Sequence, residues 1–236
     1  MLLTVATAAV TSALLGRTPT AHLRPTRVLA GELPAALIVT GLVARWRWWE
    51  RAGWRMPAWR SLWLLWLPLL ILLVSTESSH GHALRAGAVA AGAAAVLLVG
   101  YTEELWFRGV LLGAILPRSP RAAVLVSAAV FSLVHIANAR EYSVRAVIGQ
   151  MLGAFAIGLA FGAARVRVGS ILPLIVLHAA FDLPFVLGFR GAELRPVTAP
   201  ILRGLLVMTA VSLVYAFVLT RRSRVRKEVA ANASPG

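Results

Sequence analysis

The chain has 236 residues, 59% of them hydrophobic and 14% charged, with a mean hydropathy of +0.78 and a formal net charge of +15. That composition excludes a water-soluble domain of this length. The basic excess does not point to nucleic acid, because the Arg and Lys residues sit in short connecting segments and at the C-terminal end. With no cysteine, disulfides and thiolate metal sites are excluded, and any catalysis falls to oxygen and nitrogen groups.

Apolar runs recur at 1–15, 28–44, 62–74, 86–116, 122–137, 144–164, 171–187 and 200–219. Since ~20 residues cross the hydrocarbon core, they predict an all-α polytopic membrane helix bundle of about eight transmembrane helices, with seven as the fallback because 1–15 and 62–74 are short. The first run lacks a basic flank and a distinct small-residue cleavage pattern, so it is read as a helix rather than a signal peptide. No repeat of solenoid period and no phosphate-binding loop interrupts the series.

The connecting segments carry topology more than chemistry. Trp46, Trp48, Trp49, Trp54 and Trp59 alternate with Arg45, Arg47, Arg51 and Arg55, the pattern of an interfacial amphipathic segment. His80 and His82 form a Ser-Ser-His-Gly-His run that reads as solvated loop, and His22 is equally unremarkable. With eight helices, the segments after the second, fourth and sixth, together with the tail, hold 14 Arg or Lys residues against 9 on the opposite side. That asymmetry predicts both termini in the cytoplasm. The tail residues Arg221, Arg222, Arg224, Arg226 and Lys227 suit anionic lipid at the membrane surface.

Few ionisable residues lie inside the apolar runs. Glu103, Glu104 and Arg108 fall on the fourth, His135 and then Asn138 on the fifth, and His178 and Asp182 on the seventh. A charge at the bilayer centre costs at least ~2.5–3.5 kcal/mol, so such residues pair with one another or line a cavity. At 1.5 Å per residue, Glu103, His135 and His178 lie roughly 20 Å from loops on one side, which predicts convergence at one depth. Glu32, near the start of the second run and followed by Pro34, is read as an end-of-helix acid satisfying free amides.

Helical spacing divides the roles. Glu104 and Arg108 are four apart and share a face, so they can neutralise each other. Glu103 points about 100° away and is free to face a cavity. His178 and Asp182 are also four apart, and Phe131 sits one turn before His135, where its ring can wall the imidazole from lipid. A carboxylate and an imidazole on one cavity suffice to activate water, with Glu103 as general base. His178 and Asp182 can serve a developing oxyanion, although an ionised Asp182 cannot donate and more plausibly orients His178. The competing assignment is a divalent metal such as zinc held by Glu103, His135, His178 and Asp182.

Three patterns occur in order on separate apolar runs: Glu103-Glu104-Leu-Trp-Phe-Arg108 fits E-E-x-x-x-R, Phe131-Ser-Leu-Val-His135 fits F-x-x-x-H, and His178-Ala-Ala-Phe-Asp182 fits H-x-x-x-(N/D). Together they resemble the CPBP family of intramembrane proteases, which includes type II CAAX prenyl endopeptidases and bacterial proteins linked to bacteriocin processing or self-immunity. The resemblance covers about 86–187. It implies hydrolysis of a peptide bond in or near the membrane, with Glu103 and His135 activating water, His178 and Asp182 at the oxyanion, and Glu104 and Arg108 in support. It implies no required cofactor in the glutamate-type mechanism, with a metal such as zinc as the older alternative. Asp182 stands where the prenyl-protease branch usually carries Asn, and Asn138 resembles a frequent extension of the second pattern.

On this reading 1–84 holds N-terminal helices and the interfacial loop, 85–188 the catalytic core, and 189–236 the last helix and basic tail. The expected partners are a peptide or membrane-protein substrate and the lipid of a bacterial plasma membrane, with no nucleic acid. Two other classes fit the same residues. A proton relay through Glu103, His135, His178 and Asp182 would serve a small transporter, although repeats and broken helices in matching halves are absent from the sequence. An immunity or binding protein on the same scaffold would need no chemistry.

Overall fold

The computed structural model describes residues 25–76, 86–140, 142–187 and 196–221. The first apolar run, His22, His80, His82 and the tail beyond Arg221 lie outside them. Every regular element among the described residues is helical. We number the main helices α1 (Pro25–Trp46), α2 (Trp66–Thr76), α3 (Ala86–Glu104), α4 (Pro120–Val134), α5 (Val144–Val168), α6 (Leu172–Val186) and α7 (Ala199–Leu219). Among the described residues, five spans are long and apolar enough to cross a membrane: Val28–Trp46, Ala86–Ile115, Pro120–Arg140, Val144–Val168 and Ala199–Leu219. Trp59–Val74 and Leu172–Val186 are shorter apolar helices. The chain is an all-α polytopic membrane bundle.

Local chemistry sets several boundaries. The Ser119 hydroxyl accepts the Ala122 N–H at 3.2 Å just before Pro120, so α4 starts with both a cap and a pre-set proline. Ser143 caps α5 in the same way through Ala146 N–H at 3.3 Å. Gly169, at φ 75°, ends α5 in the left-handed conformation that costs glycine little. Large apolar side chains such as Leu37, Leu73, Val176, Val207 and Val214 point outward, as a lipid solvent permits.

Packing places α5 at the centre, flanked by α4 and α7, while α3 packs against α1 and α6. Close approach is set by small residues. A Cβ at Gly158 would fall 2.9 Å from the Ala128 Cα, so α5 and α4 meet at backbone distance. A Cβ at Gly100 would fall 2.8 Å from the Ile175 carbonyl oxygen and 3.4 Å from the His178 Cβ, so the same device presses α6 onto α3. Leu112, Val124, Ala128, Leu159 and Leu174 form one core; Val39, Val43, Leu105, Ile171 and Ile175 form a second, nearer α1.

The Trp- and Arg-rich loop after α1 folds over the α5–α6 turn. Arg55 Nε donates to the Gly169 carbonyl at 3.0 Å, Ser170 Oγ donates to the Arg55 carbonyl at 2.6 Å, and Arg165 Nη2 donates to the Arg51 carbonyl at 3.0 Å. These arginines satisfy backbone acceptors where the loop would otherwise leave them bare.

Two expectations need correction. The run 86–116 is not one uniform α-helix: Leu105–Leu111 is π-helical, followed by an α-turn at Leu112–Ile115. The wider π turn shifts carbonyls out of register, and Ser127 Oγ donates to the Phe107 carbonyl at 2.9 Å across to α4. Glu32 is not an end-of-helix acid, because α1 already begins at Pro25 and has no acid in its first turn.

Candidate active site

The site assembles where α3 turns from α to π geometry. Glu103 and Glu104 end the α segment, and Arg108 lies in the π segment. Arg108 Nη1 donates to Glu104 Oε1 at 2.7 Å, and both side chains are fully buried. The guanidinium also lies 4.3 Å from the Phe131 ring centroid and 5.5 Å from that of Phe161. Its Nε and Nη2 have no hydrogen-bond partner among the described residues, so the aromatic faces supply much of what surrounds that charge.

Glu104 does more than neutralise Arg108. The same Oε1 accepts a second hydrogen bond, from His178 Nδ1 at 2.8 Å. On the other side of the ring, His178 Nε2 lies 3.4 Å from Glu103 Oε2 and 3.4 Å from Asp182 Oδ2. The imidazole is therefore held from behind by a buried carboxylate and presents its second nitrogen between two others. Burial separates those acids: Glu104 is fully enclosed, whereas the Glu103 and Asp182 side chains are 24% and 30% exposed.

His135 shares the Phe131 ring with His178. The Phe131 ring meets both imidazoles edge-on, with centroids 5.2 Å from His135 and 6.0 Å from His178. Instead of lying inside a long α-helix, His135 caps α4 and opens a 3-10 segment, His135–Arg140. Its Nδ1 donates to the Phe131 carbonyl at 2.8 Å, which leaves Nε2 as the lone-pair nitrogen of the neutral ring. His135 and Asp182 are within electrostatic reach of one another. No hydrogen bond between His135 and Glu103 occurs among the described residues.

Along the chain His178 lies 13 residues beyond Arg165. In the structure α6 begins at Leu172, so His178 is only six residues into its helix, and the connecting Gly169, Ser170 and Ile171 are themselves buried. Convergence holds because that turn is sunk into the bundle. Asn138 turns elsewhere, donating from Nδ2 to Gln150 Oε1 at 2.8 Å, and ties the 3-10 segment to the start of α5.

Phe161 carries no signal in the sequence, and Glu32 carries one for a different role. Phe161 packs edge-on to His178 at 6.2 Å and against Arg108, but in a Gly- and Ala-rich helix it reads as ordinary core. Glu32 lies within electrostatic reach of Glu103, His178 and Asp182.

Among the described residues no three His, Asp or Glu side chains are disposed to hold an ion. His178 Nδ1 is engaged with Glu104, and the His135 and His178 imidazoles both meet the Phe131 ring edge-on. The site forms a carboxylate–imidazole array in which the Glu103 and Asp182 side chains are partly exposed.

Residues 85–184, under half of the chain, match the family model described as type II CAAX prenyl endopeptidase Rce1-like. No curated protein and no solved structure matches the chain. The matched stretch contains α3 to α6 nearly entire, with Glu103, Glu104, Arg108, Phe131, His135, His178 and Asp182 all inside it. The stretch that carries the site is thus similar to the Rce1-like type II CAAX prenyl endopeptidases, and the match supports a protease of the CPBP family.

Proposed function

We propose that the protein is an intramembrane endopeptidase in which Glu103 activates water for attack on a peptide bond. The observation that carries this reading is the unequal burial of two adjacent glutamates: Glu104 is sealed and doubly bonded, while Glu103 reaches the open side of the site beside His178. A purely structural ion pair requires only one of them.

In this mechanism Glu103 takes a proton from water as the hydroxyl oxygen bonds to the substrate carbonyl carbon, with His135 Nε2 sharing the water. Negative charge on the former carbonyl oxygen is met by the His178 Nε2–H, held in place by Glu104 through Nδ1. When the C–N bond breaks, the proton on Glu103 passes to the leaving nitrogen, and the carboxylate is restored. Asp182 flanks His178 Nε2 and fixes the ring plane. No step requires a cofactor. The substrate is a peptide or membrane-protein segment reaching the bilayer interior, and the Arg and Lys asymmetry of the connecting segments supports cytoplasmic termini.

Purified protein in nanodiscs, incubated with apolar peptides and analysed by mass spectrometry, should release two fragments that together account for one added water. A proton-coupled carrier would instead show pH-driven uptake in liposomes and no fragments. That outcome would replace the peptidase reading.

A further inference from the structure

Glu32 stands on α1, outside the matched stretch, yet its placement brings it to the site. Val39 and Val43 of α1 pack with Ile171 and Ile175 of α6 in one buried cluster. Glu32 precedes Val39 by seven residues, and Asp182 follows Ile175 by seven, so each acid lies two helical turns, ~10.5 Å, from that shared cluster. The helices run in opposite senses. The Thr40 hydroxyl meets the Tyr101 hydroxyl at 2.5 Å while Ala52, just past α1, abuts Gly109, which makes α1 parallel to α3. Gly100 faces Ile175 and His178 while Gly92 faces Leu187, which makes α6 antiparallel to α3. Descending α1 and ascending α6 in residue number therefore lead to the same flank, and Glu32 arrives beside Asp182.

The charges there do not balance. Glu32, Glu103, Glu104 and Asp182 face one guanidinium, Arg108, and the imidazole of His178, and Glu104 already engages both. His135 spends its Nδ1–H on a backbone carbonyl. Glu32 Oε2 is sealed from solvent and has no hydrogen-bond partner among the described residues. A carboxyl group at such depth is left without a partner of its own, and no described residue supplies a cation to it.

We propose that Glu32 is a substrate-contacting specificity residue that pairs with a Lys or Arg side chain placed beside the scissile bond, a role that rests on the peptidase reading above. A basic side chain would compensate the negative excess only when substrate occupies the site, so the enzyme would select apolar segments interrupted by one basic residue. The negative flank equally disfavours substrates with an acid at that position.

The test uses apolar peptides carrying a single Arg at successive positions, each paired with a counterpart in which neutral citrulline replaces Arg. At one position, wild-type protein in nanodiscs should cleave the Arg peptide at least about 30-fold more efficiently, the low end for a buried charge pair. Glu32→Gln should reduce that ratio to near one. If Glu32→Gln does not fold, Glu32→Asp, which keeps the charge but shortens its reach, should lower the ratio. An unchanged ratio, or no Arg preference at any position, overturns the proposal. If the wild type cleaves neither peptide, the peptidase reading fails and equilibrium binding decides the role of Glu32. Tighter binding of the Arg peptide that is lost in Glu32→Gln upholds it; equal binding in both proteins overturns it.

Discussion

Glu104 accepts a 2.8 Å hydrogen bond from His178 across 74 residues of sequence, while also holding Arg108 at 2.7 Å. One fully buried oxygen thus joins the E-E-x-x-x-R helix to the helix of His178. The chain Arg108–Glu104–His178 is the frame on which the exposed Glu103 and Asp182 are mounted. Its removal should be felt first in stability and its open end first in activity.

Glu104→Ala leaves Arg108 as an uncompensated charge in a dry interior. Breaking such a pair costs ~3–5 kcal/mol, so thermal unfolding in detergent should move sharply downward. Glu103→Ala, at a partly exposed position whose His178 partner keeps Asp182 and Glu104, should unfold closer to wild type. Equal thermal stability of the two variants would contradict the assigned division of labour.

Gly100→Ala tests the helix contact that positions His178. The added methyl would meet the Ile175 carbonyl at 2.8 Å, and backbone cannot yield as a flexible side chain can. The α6 helix should shift by a few tenths of an ångström or more, and the rate should fall on the order of tenfold to a hundredfold. A Gly87→Ala control has open space around its Cβ and should leave the rate unchanged.

Phe131→Leu keeps an apolar side chain but removes the ring that Arg108, His135 and His178 share. Loss of a desolvated cation–π contact is worth ~2 kcal/mol, and both imidazoles lose their edge contact. Peptide hydrolysis should drop by more than tenfold, while Phe161→Leu should cost less because its ring lies farther from Arg108. Comparable rates in wild type and Phe131→Leu would show that the ring only fills space.

Chelation separates the two hydrolytic chemistries. The glutamate mechanism expects full activity after prolonged EDTA treatment and no stoichiometric metal by elemental analysis of active protein. Activity lost on chelation and restored by zinc would return Glu103, His135, His178 and Asp182 to the role of ligands.

Much of this site was legible because it obeys helical spacing. The pairing of Glu104 with Arg108 follows from i,i+4 geometry, and the divergence of Glu103 follows from the 100° turn between neighbours. Hydropathy likewise exposed the spans, since lipid-facing residues must be apolar. The His178–Glu104 bond was not legible, because it depends on how far α6 approaches α3, and that distance is set by an absent side chain at Gly100. The π segment was hidden for a related reason: Leu105–Leu111 has ordinary helical composition, and the register shift emerges only when Ser127 and Arg108 find their partners. Glu32 was misread because the start of its helix was placed too late. Once α1 begins at Pro25, the same residue lies on a buried stripe with Val39 and Val43.

The central claim is that Glu103, and not Glu104, activates the water. It is tested most directly by single-turnover cleavage of one peptide substrate by wild type, Glu103→Ala and Glu104→Gln, each first shown to be folded by thermal unfolding. The account predicts that Glu103→Ala is folded and loses at least about a hundredfold in rate, the lower range for a general base, while Glu104→Gln retains measurable turnover. Cleavage by folded Glu103→Ala at the wild-type rate would contradict it.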